Sequence, residues 1–514
     1  MTSLWTALAP ESAVRLPLTQ DRQVDVAVIG GGVTGLATAL MLAERGIDVA
    51  VVEARHVGAG TTGATTGKVS LLQGGTLQRI ARHHDSATVR GYVEANRAGQ
   101  EWLLRFCEER GVLAEQADAT TFALTDTEAE TVRAEYAAAR GAGLGVELVD
   151  SLDMPFPATA AVRLREQTQI NPLALVNALA AAIEQHGVAI YESTRVHKIR
   201  HVARRGLVLD TTQAELRARA AVLATGVPML DRGAFFARLT PQRSYLAAFD
   251  VDGPLPAGMH LNAGTPTRSL RTAAAPDRRI LLVGGNGHTV GRARSPRDAV
   301  QDLIAWTSTW FPTAEPKFSW SAQDYLPTTG LPYVGPLLPG QPDILVATGF
   351  AKWGLTNGAA AALVCAAQLT GQAPPPWARV SASWRADEMR AVNDTVRANA
   401  AVAIELTQGW LGALTSAHGD VIPEEGCGEV TRDHLRPTAI STVDGVTRKV
   451  SAVCPHLYGI VRWNDAECTW DCPLHGSRFT PDGAVLEGPA ATDLPPRSTD
   501  YPTVDSTKES HDNA

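Results

Sequence analysis

The stretch from Cys454 to Gly476 reads CPHLYGIVRWNDAECTWDCPLHG and carries two pairs of ligating residues, Cys454-x-His456 and Cys472-x-x-His475, separated by fifteen residues. Each pair puts one thiolate and one imidazole on a tight loop, so the two loops together offer two sulfurs to one iron and two nitrogens to another. A structural zinc site is the competing reading. Zinc frameworks usually pair Cys with Cys and His with His at two- to five-residue spacings, whereas here each pair is mixed. The chemistry indicated is that of an iron–sulfur site.

From Gly419 to Val504 the chain resembles the Rieske family, with His475-Gly-Ser477 and Gly488-Pro-Ala490 as further matches. The resemblance implies an all-β domain holding a [2Fe–2S] cluster, with Cys454 and Cys472 on the inner iron and His456 and His475 on the outer one. It also implies exposed histidines through which electrons leave to a soluble acceptor. Many family members clasp the two loops with a disulfide, but Gly459 and Leu474 stand at those places here. Phe479 stands where high-potential members have a Tyr that hydrogen-bonds a ligating sulfur. Fewer hydrogen bonds stabilise the reduced, more negative cluster less, which predicts a potential near ~−150 mV rather than ~+300 mV.

The elements that must position such a site begin far upstream. Val24 to Ile29 is an apolar run followed by Gly30-Gly-Gly32-Val-Thr-Gly35, a helical pattern through Leu36, Leu40 and Leu42 stopped by Gly46, and a second apolar run, Val49 to Val52, ending at Glu53. Strand, G-x-G-x-x-G, helix, strand and an acid about twenty residues on is a dinucleotide-binding arrangement. Gly30 serves the tight turn, Gly32 lets backbone approach a pyrophosphate, Gly35 lets helix pack on strand, and the helix N-terminus stabilises phosphate charge. Glu53 would accept hydrogen bonds from ribose hydroxyls.

Three further pieces favour FAD over a nicotinamide. The loop Gly58 to Lys68, with Thr61 and Thr62, is rich in residues that let amides and hydroxyls approach a ligand. Ala221 to Gly226 is a buried strand ending in a small-residue turn that contains Thr225 and Gly226. Ile344 to Phe350 leads through Lys352 to Asn357 into an Ala-rich helix. With these, Val24 to Gly371 resembles the D-amino-acid oxidase and glycine oxidase superfamily of FAD enzymes. The resemblance implies flavin contacts at Gly349, Gly354 and Thr356. Members that bind flavin covalently do so through a Cys near the last loop or a His in the loop after the acid; Ala351, Lys352 and Ala64 fill those places, so FAD is expected to be non-covalent.

Asn171-Pro172 opens a helix through Ile183 that Gly187 ends, and a strand is expected at Ala189 to Glu192. Gln242 to Phe249, Ser269 to Ala273 and Arg279 to Val283 read as strands between Pro/Gly turns. They fit the superfamily's antiparallel substrate-domain sheet, which would face the flavin. Its charged and aromatic residues Arg243, Tyr245, Arg271 and His288 are candidate substrate anchors, with surface or loop-capping roles as the alternative. Arg271 stands approximately at the family's carboxylate-binding position, within a different local pattern. Lys68 and Lys352 approach the flavin from the two cofactor loops. His197 and His201 lie four residues apart on an expected strand, ~13 Å and too far to share an ion. His83-His84-Asp85, inside an expected helical region from Gly75 to Arg110, reads as a surface cluster.

With 514 residues, 45% apolar and 19% charged, the chain can build about three domains with real cores. A net charge of −8 without basic patches argues against nucleic acid or an anionic membrane as partner. The longest membrane-span candidate, Gly358 to Ala367, is ten residues against the ~20 required. The first residues lack a basic-then-apolar layout, so a cytoplasmic protein is expected. The six cysteines do not form a disulfide framework.

The expected architecture is an α/β FAD-binding Rossmann-like domain with an antiparallel substrate-domain sheet, a helical connector and an all-β Rieske domain. The FAD oxidoreductase spans 1–375, with flavin-binding parts near 24–80, 165–240 and 325–375 and substrate-domain parts near 81–164 and 241–324. The connector spans 376–416, with Met389, Val392, Val396, Ala400, Ile404 and Leu411 at helical spacing from Asp387 to Leu414. The Rieske domain spans 417–505 and a polar tail 506–514. A flavin takes two electrons at once from a C–H bond beside nitrogen or oxygen, whereas a Rieske cluster carries one, so their union converts a two-electron step into single-electron steps. The expected function is an FAD-dependent dehydrogenase of a small amine or amino acid that passes electrons through the cluster to a soluble acceptor protein. The rivals are an oxygen-using oxidase with a regulatory cluster, a reductase fed by the cluster, and a non-enzymatic redox carrier or sensor. A Rieske oxygenase would need a mononuclear iron site that the sequence does not display.

Overall fold

Residues 26–29 alternate between two apolar environments, as a strand covered on both faces must. In the computed structural model this strand, Arg22–Ile29, sends Val26 and Val28 into the core beneath the helices Val33–Ala43, Pro172–Gln185 and Gly354–Leu369. It sends Val24, Ala27 and Ile29 into a second core on the opposite face. The structure describes residues 2–9, 14–203, 206–385, 388, 392–416, 422–434 and 436–497. The strand is central in a sheet ordered Tyr333–Leu338, Gln341–Thr348, Glu215–Leu223, Arg22–Ile29, Val49–Val52, Ala189–Tyr191, extended by an antiparallel pair at Gly206–Thr211 and Val196–Val202. Its inner pairings are parallel, with Ile29 opposite both Leu223 and Val52. That register brings Gly30, Glu53 and Thr225 to one edge, the carboxyl ends of the strands, where ligands bind in such sheets.

The second sheet has nine strands and contains Glu315–Pro327, Leu239–Asp250, Arg279–Thr289 and Arg268–Ala274 side by side and antiparallel. It departs from expectation in three places. The strand Ala160–Ile170 lies wholly in this sheet, and Lys68–Val69 is its edge, so the division at 165 falls inside a strand. The helix Ser86–Arg110, expected with the substrate part, buries Leu103, Phe106 and Cys107 in the flavin-side core. The Gly-rich run around His288 is strand up to Thr289, because Gly285 allows a close approach: a Cβ there would lie 2.1 Å from the Thr267 carbonyl.

The helical region from Gly75 breaks into Thr76–Ala81 and Ser86–Arg110, with Asp85 capping the second helix by accepting from the Thr88 amide at 2.8 Å. His84 is buried, its Nε2 2.9 Å from the Thr329 carbonyl, so the expected surface cluster there is in part a core contact.

The connector is a helix, Val392–Thr415, and Asp387 and Met389 lie outside the described residues. Its expected packing stripe faces outward: Val396, Ile404 and Leu411 are 62%, 55% and 58% exposed. Val402, Leu406, Trp410 and Ala413 pack instead on the last domain. Asn399 donates to the Ala237 carbonyl at 2.9 Å, so one helix touches both units. The described part of that domain, up to residue 497, is all β: the strands Gly428–Asp433, Arg436–Val443 and Val446–Ser451 pair in one sheet, and four short strands from Arg462 to Glu487 form another. The tail at 506–514 lies outside the described residues. No helix among the described residues is long and apolar enough to cross a membrane.

Candidate functional site

Two sites share a wall. The first is a cleft at the carboxyl edge of the parallel sheet, lined by Gly30, Gly32, Glu53, Thr61, Thr62, Thr225, Gly226, Gly349 and Gly354. Gly30 has φ +115°, and a Cβ there would lie 2.5 Å from the Ala224 carbonyl oxygen; at Gly35 a Cβ would lie 2.0 Å from the Gly30 oxygen. The helix Val33–Ala43 starts at Gly32 with no side-chain cap, so its N-terminus is open toward the cleft. Glu53 accepts from the Gly31 amide at 2.7 Å and the Arg55 amide at 2.9 Å, one through each oxygen, leaving lone pairs for ribose hydroxyls. Bare backbone, hydroxyls and one acid in this order fit the pyrophosphate and adenosine half of FAD. Overpacking by Gly35→Ala costs about 1–3 kcal/mol, and the expected result is flavin affinity weakened about tenfold or more, read as the flavin-to-protein absorbance ratio after dialysis.

Thr356 departs from its expected place. It is buried away from the cleft, donating to Asn96 Oδ1 at 2.6 Å and accepting from Gln73 Nε2 at 3.3 Å.

Of the six expected catalytic or anchoring residues, only Lys352 lines the cleft. Its Nζ donates to Ser244 Oγ and lies 3.8 Å from Asp324. Arg271 is no substrate anchor: it is buried and donates to the carbonyls of Thr66, Gly67, Ile170 and Thr272, tying the flavin loop to the sheet. Lys68 is likewise internal, donating to the His260 carbonyl at 3.0 Å and Ser269 Oγ at 2.6 Å; burial, with Arg271 adding, lowers its pKa to about 7. Arg243 is engaged by the last domain, through a bidentate contact with Glu467 at 2.5 and 2.8 Å and a further contact with Glu487 at 3.5 Å. Tyr245 is fully buried and stacks on His288 with ring centroids 5.6 Å apart; burial raises the pKa of the phenol and lowers that of the imidazole.

The second site is formed by the loops bearing Cys454 and Cys472. Each loop closes on itself, the Tyr458 amide donating to the Cys454 carbonyl and the Gly476 amide to the Cys472 carbonyl, both at 3.1 Å. Where the disulfide clasp of other members would lie, the Leu474 side chain packs on Gly459, so close that a Cβ on Gly459 would meet it at 2.7 Å. The Cys472 thiol, then the His456 amide and the Ser477 hydroxyl, hold the pKa of Cys454 below its ordinary value. The His456 and His475 rings are 5.1 Å apart. His475 Nδ1 is buried without a hydrogen-bond partner among the described residues, as a nitrogen reserved for a metal would be. Burial, with His456 and Arg292 adding, pushes its pKa down to about 3, leaving the neutral imidazole that ligation requires. A pair of facing thiols and a pair of facing imidazoles, one pair for each iron, fit a mixed-ligand cluster.

The histidines are not exposed. The His456 side chain is 5% exposed, and the Phe236 ring of the flavin unit stands edge-on to both imidazoles, 5.3 Å from His456 and 5.0 Å from His475. The two sites meet along this seam. Leu486, Glu487, Gly488, Ala490 and Ala491 of the last domain line the flavin cleft. Gln323, also in the cleft lining, donates to the Gly476 carbonyl at 2.8 Å, next to His475. His197, exposed on its strand, lies 2.8 Å from the Ala491 carbonyl. The Gly488-Pro-Ala490 match was the only sequence cue to this wall, and nothing flagged Asp231, Phe236, Gln323 or Glu467.

Residues 25–368 match the family described as FAD dependent oxidoreductase, and residues 424–498 match the Rieske [2Fe-2S] domain. The chain belongs to the FAD-dependent oxidoreductase family and carries a Rieske domain behind it; its cofactors are FAD and a [2Fe–2S] cluster. It is 31% identical over 480 residues to a putative Rieske 2Fe-2S iron-sulfur protein, YhfW, of Bacillus subtilis, covering 93% of this chain and 94% of that protein. The glycine oxidase of Geobacillus kaustophilus is 28% identical over 356 residues, covering 64% of this chain and 89% of that one. The crystal structure of that glycine oxidase aligns with a TM-score of 0.58 over 68% of this chain and 95% of its own at 23% identity. The L-proline dehydrogenase of P. horikoshii aligns at 0.58 over 72% of this chain and 98% of its own at 17% identity, so both structures share the fold.

Proposed function

We propose that this protein is an FAD-dependent dehydrogenase that oxidises a C–N bond of a small amine or amino acid and passes the electrons singly through its Rieske cluster to an external acceptor in the cytoplasm. The observation that carries this reading is the shared wall: Leu486 to Ala491 of the cluster domain line the flavin cleft, and Phe236 of the flavin unit covers both cluster histidines. When bound, FAD supplies two-electron oxidation of a C–H bond beside nitrogen and the cluster supplies one-electron transfer. The chain's own residues bring the two sites together. Gly30, Gly32 and Glu53 would hold the adenosine and pyrophosphate half, and Gly349 and Gly354 the loop over the ring. Cys454, Cys472, His456 and His475 would hold the cluster, and Gln323 fixes the cluster loop against the cleft through the Gly476 carbonyl. The glycine oxidase and proline dehydrogenase relatives act, by their names, on amino acids, which supports C–N chemistry here. Arg243 and Arg271 are both occupied internally, so a substrate carboxylate would need a different cation of the cleft lining, where Lys352, Arg55 and Arg195 stand.

The test is anaerobic. Amines and amino acids are screened as reductants while flavin absorbance and the cluster's EPR signal are followed together. Bleaching of the flavin followed by a rise of the reduced-cluster signal is the expected result. Bleaching with the cluster left oxidised, or peroxide at one per turnover in air, would replace this reading by that of an oxidase.

A further inference from the structure

Asp231 belongs to the flavin unit, yet its Oδ1 lies 2.7 Å from Nε2 of His456. It stands two residues beyond Met229, which lines the flavin cleft, and its carbonyl accepts from the Ala234 amide in the turn that leads into Phe235–Arg238. One short segment therefore lines the cleft at Met229, holds His456 at Asp231 and covers both imidazoles at Phe236. A carboxylate on one ring nitrogen of a ligating histidine fixes the ring, leaves the other nitrogen for the metal and makes it a stronger donor. Its negative charge also favours the more positive, oxidised cluster.

We propose that Asp231 is a positioning residue for His456, supplied by the flavin unit, that lowers the cluster's potential while the two units are docked. The inference rests on the Rieske ligation by Cys454, His456, Cys472 and His475. Asp231→Asn keeps the size and an acceptor oxygen but removes the charge, and Asp231→Glu keeps the charge. Each is purified as the full holoprotein, assayed for iron and sulfide, and titrated electrochemically with EPR detection of the cluster alone.

The expected result is a full cluster in Asp231→Asn with its midpoint raised by about 59 mV, a tenfold change in the reduced-to-oxidised ratio at fixed potential, and a midpoint near the parent's in Asp231→Glu. Loss of the cluster from the Asn variant with retention in the Glu variant would equally mark a charge that holds His456. An unshifted midpoint in Asp231→Asn with a full cluster, or equal shifts or equal cluster loss in both variants, would overturn the proposal. Absence of a mixed-ligand cluster spectrum in the parent protein would instead strike the ligand assignment and leave Asp231 out of the question.

Discussion

His475→Ala yields a protein that keeps its yellow FAD and loses its cluster. The imidazole is 5% exposed, its Nδ1 has no other partner among the described residues, and the ring is boxed in by Phe236 and His456. Without that ring one iron is left with a single protein nitrogen, and the neighbouring carboxylate, Asp231, is already engaged by His456 Nε2. Changes to groups that merely orient a ligand cost about 10–100-fold in metal affinity, and loss of a ligand itself costs more than that. Iron and sulfide are lost from the variant at chelator concentrations more than about 100-fold below those that strip the parent, while flavin content stays within error, because the glycines and Glu53 that would hold FAD lie on a different unit. With an amine or amino acid that bleaches the parent's flavin, the variant's flavin still bleaches anaerobically, but a one-electron acceptor protein is no longer reduced. Flavin that fails to bleach in the variant would mean that the cluster unit does more than conduct, and the wall formed by Leu486 to Ala491 would be the place to look.

The parts of this molecule that were legible in its sequence are those whose chemistry is local. Cys454, His456, Cys472 and His475 sit in pairs two or three residues apart, and the Gly30-to-Glu53 unit is a single strand–helix–strand, so type and spacing alone locate them. Thr356 shows where local reasoning stops. Gly354 and Leu355 face the cleft, but each helical residue turns ~100°, and one step carries Thr356 round to Asn96 and Gln73. Arg243 and Arg271 were legible as wall residues but not as occupied ones. The carboxylate that occupies Arg243 is 224 residues further along the chain, and the carbonyls around Arg271 carry no side-chain information at all.

The histidine face was misread for a related reason. Family resemblance describes a cluster domain on its own, and what covers it here, Asp231 and Phe236, belongs to a turn of the neighbouring unit. The connector reversed its expected face because Val402, Leu406 and Trp410 had a ready-made apolar surface to pack on, while the longer stripe through Val396, Ile404 and Leu411 did not.

Docking of the two units should fail when Glu467 loses its charge. Glu467 sits among Arg243 of the substrate sheet and Arg478 of its own domain, with Asp471 and Glu487 completing the network and Ser321 donating to it at 2.7 Å. Removing one member of a buried ion pair strands the other, at about 3–5 kcal/mol. Glu487, 3.5 Å from Arg243, still offers partial compensation, which puts Glu467→Gln near the lower end. The loss falls on the interface, because Arg243 and Glu467 come from different units. Thermal unfolding of the holoprotein should therefore show flavin release and cluster bleaching at separate temperatures in the variant and together in the parent.

Acid provides an independent check. Burial alone would raise the carboxyl's pKa, but Arg243 and Arg478 outweigh it and hold Glu467 well below the usual carboxylate range. Its stabilising contribution is thus fully present above the ordinary glutamate value of about 4.3, declines below that, and is gone only once pH has fallen through the depressed folded value. The stability gap between parent and Glu467→Gln should hold constant from neutral pH to about 5 and close only at more acid pH. A gap that closes between pH 7 and 5 would mean that a group other than Glu467 governs the contact.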